Sequence, residues 1–125
     1  TLASFGGGIP SEYEKWAADL PTSHQDKHRV YAHAGMDGSV PFDDQNEAIL
    51  LWHRYSPGWS GSYWGKHLVH GHTPDIKNPT TIGNRTNLDS ACVFGGKLSC
   101  AVFDDDVQGE PLEFMCVSRT KSAAA

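Results

Sequence analysis

The chain has 125 residues, which suits a single domain able to bury roughly two thirds of its unfolded surface. Its formal net charge is −5 and its basic residues are scattered, so it lacks the electrostatic footprint of a nucleic-acid groove. No apolar run of roughly 18 residues occurs, and the opening TLASFGGGIP lacks the charged head and apolar middle of a signal peptide; a soluble, cytoplasmic protein without membrane contact is expected.

After the Gly-rich start, Ser11-x-x-Glu14 has the pattern of a capping box, and Tyr13, Trp16, Ala17 and Leu20 follow at helical spacing. A helix over 11–20 is predicted, stopped by Pro21. Arg29-Val30-Tyr31-Ala32 reads as a strand that delivers His33 to the small-residue turn Ala34-Gly35. A second helix is predicted from about Asp44 to Arg54, with Asp44 and Glu47 at its start and Ala48, Leu51 and Trp52 as its apolar stripe. SPGWSGSYWG is a loop whose aromatics are expected to cover the core. Lys66 to Val69 forms the next strand and ends on His70-Gly71-His72-Thr73-Pro74. TNLDSACVF, KLSCAVF and PLEFMCVS then read as an antiparallel meander, with Gly95-Gly96 as its first hairpin turn.

The three cysteines, Cys92, Cys100 and Cys116, are too few for a disulfide scaffold and form no CxxC pair. The seven histidines carry more information, because imidazole is the commonest metal-binding and acid-base side chain. His33 and His72 each stand where a predicted strand gives way to a Gly-containing loop. Loops beyond strand carboxyl ends build sites in sheet enzymes, and a histidine from each of two neighbouring strands can converge on one ion. His24, His28 and His67 are expected at the surface, and His53 in packing or solvent. Arg85 reads as a solvated loop residue, with a role near the site as the alternative.

Four motifs in order, VYAHAG, DDQNEAILLWHR, LVHGHTP and NLDSACVFGGKLSCAVF, resemble the C-terminal half of the calcineurin-like metallophosphoesterases. Within them the chain is most similar to the bacterial and phage serine/threonine protein phosphatases of the PPP type, from about Ser4 to Ser118. The resemblance implies an α/β two-sheet sandwich flanked by helices, with this chain as its C-terminal portion. Residues 1–122 would form that part of one domain, and 123–125 an appended tail. His33 of the HAG motif and His72 of the GHTP motif would be ligands of the second of two divalent ions, manganese first, with iron, zinc or nickel as alternatives. Arg54 of the WxR motif would grip the substrate phosphate through its planar fork of donors. His70 would share the face of His72 or pack just beneath it, and the hairpin around Asp89-Ser90 and Gly95-Gly96 would be scaffold.

The family's GD-x-HG, GD-x-x-DRG and GNH[DE] motifs do not occur, and no Gly-Asp dipeptide exists in the chain. Those motifs supply the first metal's ligands, the bridging aspartate and the general acid, so a lone chain would carry a half-site and little or no activity. A C-terminal fragment paired with its other half, or with a swapped second copy, is therefore expected. The primary functional expectation is phosphoserine/phosphothreonine hydrolysis by a metal-activated bridging hydroxide. A symmetric dinucleotide tetraphosphatase or another nucleotide phosphoesterase of the same fold is the alternative, and a non-catalytic binding or self-association module is the third.

Overall fold

The computed structural model describes residues 2–119. Its frame is a five-stranded sheet made of β1 (Ser23–Gln25), β2 (Arg29–Ala32), β3 (His67–His70), β4 (Thr80–Ile82) and β5 (Arg85–Asn87), in the order β1-β2-β3-β5-β4. The three central strands are parallel and the two edge strands antiparallel. β6 (Lys97–Val102) and β7 (Glu113–Ser118) pair as a separate antiparallel hairpin. The α/β class and the closing antiparallel strands expected from the sequence are thus borne out. Among the described residues no helix is long and apolar enough to cross a membrane.

Side chains alternate across the sheet, so the register assigns each residue a face. Val30 and Leu68 are paired neighbours on one face and fully buried; Met36, Leu50, Tyr55 and Tyr63 close over them, with Ala32 and Phe42 at the margin. Burying each of the two aliphatic side chains contributes about 1.5–3 kcal/mol. The opposite face is polar. There Arg29 and His67 are paired, and Thr86 follows on β5. His67 Nε2 shares a 2.8 Å hydrogen bond with Thr86 Oγ1, which in turn bonds Thr81. The segment after β6 folds back over Arg29: Nη2 donates to the carbonyls of Asp104 and Val107, and the guanidinium lies 4.4 Å from the Phe103 ring centre. His67 is therefore buried at 2% exposure, not at the surface as its sequence setting suggested.

The first helix, α1 (Ser11–Ala18), forms where expected but starts differently. Pro10 is its N-cap residue and no side chain caps it, so the Ser11/Glu14 capping box is not made; proline's fixed φ sets the entry instead. None of its residues is buried, and Trp16 is 64% exposed. The second helix, α2 (Glu47–Trp52), is shorter than predicted. A 3-10 turn at Phe42–Asp44 precedes it, and Asn46, not Asp44, caps it by accepting a 2.8 Å bond from Ala48 N–H. Leu50 is its buried side chain, so the helix is rotated from the stripe of Ala48, Leu51 and Trp52. Its last residue is Trp52, which leaves Arg54 beyond the helix.

The meander is also corrected. Arg85–Asn87 joins the parallel sheet, and Cys92–Phe94 forms a 3-10 turn rather than a strand. Gly95-Gly96 is consequently not a two-residue hairpin turn: Gly95 takes φ +99° to close the 3-10 turn, and a Cβ on Gly96 would strike the backbone of Ser90 and Ala91. Every residue of β7 is exposed, as are Leu98, Val93 and Phe94. The tail assigned to 123–125 lies outside the described residues.

Candidate active site

The parallel strands β2 and β3 end side by side, and each hands its chain to a small residue: His33 is followed by Ala34-Gly35, and His70 by Gly71. Gly71 N–H donates 2.8 Å to the His33 carbonyl, tying the two crossings together. Beyond that bond the two histidines meet, with His33 Nε2 3.1 Å from His72 Nδ1 and ring centres 5.0 Å apart. The loop carrying His72 is pinned from below, because Asn87 Nδ2 donates 2.8 Å to the Thr73 carbonyl and Asn78 Nδ2 donates 2.8 Å to that of Asp89. His72 itself adopts a left-handed backbone, φ +64°. Partial burial, then the neighbouring His33 and Arg54, push the His72 imidazole below its ordinary pKa of 6.5, which favours the neutral form that ligates metal.

The 3.1 Å contact is a hydrogen-bond distance between the two imidazoles, and it is also the separation that one shared ion would require. Two nitrogens each about 2.0–2.1 Å from a zinc-like ion stand roughly 2.9–3.4 Å apart for angles between octahedral and tetrahedral, and 3.1 Å falls inside that range. The pair does not complete a coordination sphere: among the described residues no group of three or more His, Cys, Asp or Glu side chains could hold a metal. The two histidines open on a cleft of about 550 Å³ at the carboxyl edge of the sheet, lined also by Tyr31, Val69, Leu88 and Asp89. Asp89, read from the sequence as scaffold, stands at the end of the third parallel strand and lines this cleft, although its Oδ1 accepts from Ala91 N–H at 3.1 Å. The rule that sites lie beyond parallel strand ends would have singled it out had β5 been placed at Arg85–Asn87.

The sequence-predicted residues separate into three groups. Arg54 is exposed, makes no ion pair among the described residues, and is close enough to His72 for its charge to oppose protonation there. His70 does not share the face of His72. Its ring turns into the core, where Nδ1 donates to the Gly71 carbonyl at 3.0 Å and Nε2 accepts from Arg85 Nη1 at 3.1 Å. Burial pushes its pKa down to about 4. Arg85 is 6% exposed rather than solvated: Nε donates to the Trp59 carbonyl, and the guanidinium sits 4.9 Å from the Tyr55 ring centre. Tyr55 stacks on Trp59 at 4.7 Å and ties the turn after His33, accepting from Met36 N–H at 2.9 Å and donating to Met36 O. Of the aromatic loop, Tyr63 enters the core as expected, whereas Trp59 and Trp64 remain 43% and 39% exposed.

Trp52 departs from its expected place in the apolar stripe of α2. Its apolar character suggested core, yet it is 71% exposed, with its ring perpendicular to that of His72 at 5.6 Å. His53 packs edge-on against Tyr55 at 4.5 Å, in keeping with a packing role.

No family model matches the chain. A 42-residue stretch is 45% identical to bis(5'-nucleosyl)-tetraphosphatase PrpE [asymmetrical] of Anoxybacillus flavithermus, covering 29% of this chain and 17% of that protein. The protein of the same name from Bacillus subtilis is 43% identical over 42 residues, covering 33% of this chain and 17% of its own length. A solved crystal structure, provisionally described as a diadenosine tetraphosphatase, superposes with a TM-score of 0.69 at 24% identity over 97% of this chain. The chain spans 61% of that structure, and the matched stretches span under a fifth of the curated relatives. The structural likeness establishes a shared α/β fold.

Proposed function

We propose that the chain is part of a metal-dependent phosphoesterase that hydrolyses dinucleoside tetraphosphates asymmetrically, releasing a mononucleotide and a nucleoside triphosphate. The observation that carries this reading is the 3.1 Å pairing of His33 Nε2 and His72 Nδ1 at the ends of two adjacent parallel strands. His33 and His72 would hold one divalent ion; the remaining ligands, and those of a second ion, would come from polypeptide outside this chain. When bound, such ions supply Lewis-acid polarisation of a phosphoryl oxygen. Arg54 meets the charge of the phosphate chain with a fork of N–H donors, and its exposure leaves that fork free to do so. The tie between Tyr55 and Met36, with the Gly71 bond to His33, keeps the two imidazoles in place.

The relatives' names favour this dinucleotide reading over phosphoprotein hydrolysis, and they specify asymmetric rather than symmetric cleavage. The exposed α1 and β7 surfaces suit the rest of the fold or a swapped copy as partner. The test is product analysis after incubation of the protein, together with any polypeptide that co-purifies, with diadenosine tetraphosphate and manganese. AMP and ATP in equal amounts are expected. Two molecules of ADP would reassign the cleavage as symmetric, turnover of a phosphopeptide alone would restore the phosphatase reading, and no turnover with any divalent ion would leave a non-catalytic module.

A further inference from the structure

Four tryptophans occur in the chain: Trp59 is stacked on Tyr55 and Trp64 is edge-on to Phe42, whereas Trp16 on α1 and Trp52 are largely exposed. Trp52 ends α2 at 71% exposure, and the aromatic ring against it is that of His72, 5.6 Å away and perpendicular. Two residues later in the chain comes the exposed Arg54. A large, flat, uncharged side chain thus stands against the ring of the proposed ligand His72 and two residues from the proposed phosphate grip. Substrates in which a planar aromatic group is joined to a phosphate chain present those same two features side by side.

We infer that Trp52 is the stacking platform for a nucleobase of the substrate, placed so that the phosphate chain leaving that base crosses Arg54 and His72. The inference rests on the dinucleotide reading above and adds the residue that gives it base recognition. Every nucleobase offers a π face, so one stacking indole favours nucleotides over plain polyphosphate without choosing among bases. The ionic grip alone would bind inorganic polyphosphate as well as a dinucleotide. Trp52 therefore accounts for selectivity, and Arg54 for affinity toward the phosphate chain common to both.

The test is calorimetric binding of diadenosine tetraphosphate and of inorganic tripolyphosphate to the wild-type protein, Trp52→Ala and Trp52→Phe. Wild type is expected to bind the dinucleotide at least tenfold more tightly than tripolyphosphate. Trp52→Ala should lose most of that ratio, by roughly ten- to a hundredfold, the range of one base–aromatic stack. Trp52→Phe should keep much of it, because a smaller ring still stacks. Circular dichroism of each variant checks folding, which removal of so exposed a side chain should leave intact. If Trp52→Ala keeps the full preference for the dinucleotide, the stacking role is wrong while the dinucleotide reading stands. If wild type itself shows no preference over tripolyphosphate, base recognition is absent, and both fall.

Discussion

The polar underside of the sheet makes a quantitative prediction about acid stability. His67 is 2% exposed, and burial first, then the charge of Arg29, bring its pKa from 6.5 down to about 4. Between those values the unfolded chain binds the proton and the folded chain refuses it. The stability associated with neutral His67 is therefore complete above pH 6.5 and is lost as the pH falls toward 4. Between pH 7 and pH 5 one such group removes about 2 kcal/mol. His70, 3% exposed and also pushed by burial to about 4, adds a similar amount, so wild type should lose about 4 kcal/mol over that interval. Two carboxyls lie outside this window. Hydrogen bonds hold Asp26 below 3.8 against the raising effect of its burial, and Ser39 holds Asp37 below it, so both matter only at lower pH. Urea unfolding at pH 7 and pH 5, compared between wild type and His67→Gln, measures the effect. Glutamine keeps a polar end for Thr86 but cannot titrate, so the variant should lose only about half as much stability. A variant whose pH dependence equals that of wild type would show that His67 is not held neutral by its burial.

Three further outcomes bear on the site. His72→Ala should abolish the manganese-induced broadening of the His33 imidazole resonances in NMR spectra, together with any metal-dependent turnover; unchanged broadening would separate His33 from the proposed pair. Arg54→Ala should weaken tripolyphosphate binding by roughly tenfold or more, with little change in urea midpoint, since a charge-assisted bond is worth about 1.5–3 kcal/mol and the residue is exposed. Gly35→Ala would put a Cβ 2.7 Å from the Tyr55 hydroxyl, and should cost about 1–3 kcal/mol in unfolding free energy as that ring is displaced.

The strands that bear the candidate ligands were legible because they are short apolar runs ending on His and Gly, and a parallel sheet places such ends together. Val30, Leu68 and their register follow from the same pattern. Helix faces were less legible: α2 has six residues, too few for its periodicity to outweigh one core contact, and Leu50 set its rotation. The missed edge strand Ser23–Gln25 is held by its pairing with β2 rather than by apolar residues. Cys92–Phe94 reads as strand by composition, yet Gly95 at φ +99° lets the chain turn there. His67 and Arg85 illustrate a different limit. Their burial depends on Thr86 and on the carbonyl of Trp59, partners 19 and 26 residues away, and no local pattern encodes such distant neighbours.

The site also breaks local rules in a concentrated way. A non-glycine residue in the left-handed region costs about 1 kcal/mol, and His72 occupies that region directly after Gly71, a residue that could have taken it at no such cost. Beside His70, the buried Arg85 guanidinium has no carboxylate partner among the described residues; an imidazole, a carbonyl and a ring face surround it. A buried charge held by dipoles is ordinarily unfavourable unless those dipoles are fixed. Here they are fixed by the elements that fix the histidines, because Tyr55 is bound to the turn after His33, and His70 to Gly71 just before His72. Core stability alone would be served by an apolar residue at 85 and glycine at 72. What the existing residues accomplish together is to fix the turn after His33 and the residue just before His72, the two segments whose imidazoles meet at the open edge of the sheet. That arrangement leaves the two ring nitrogens 3.1 Å apart at the mouth of the cleft, the separation that the proposed ion requires.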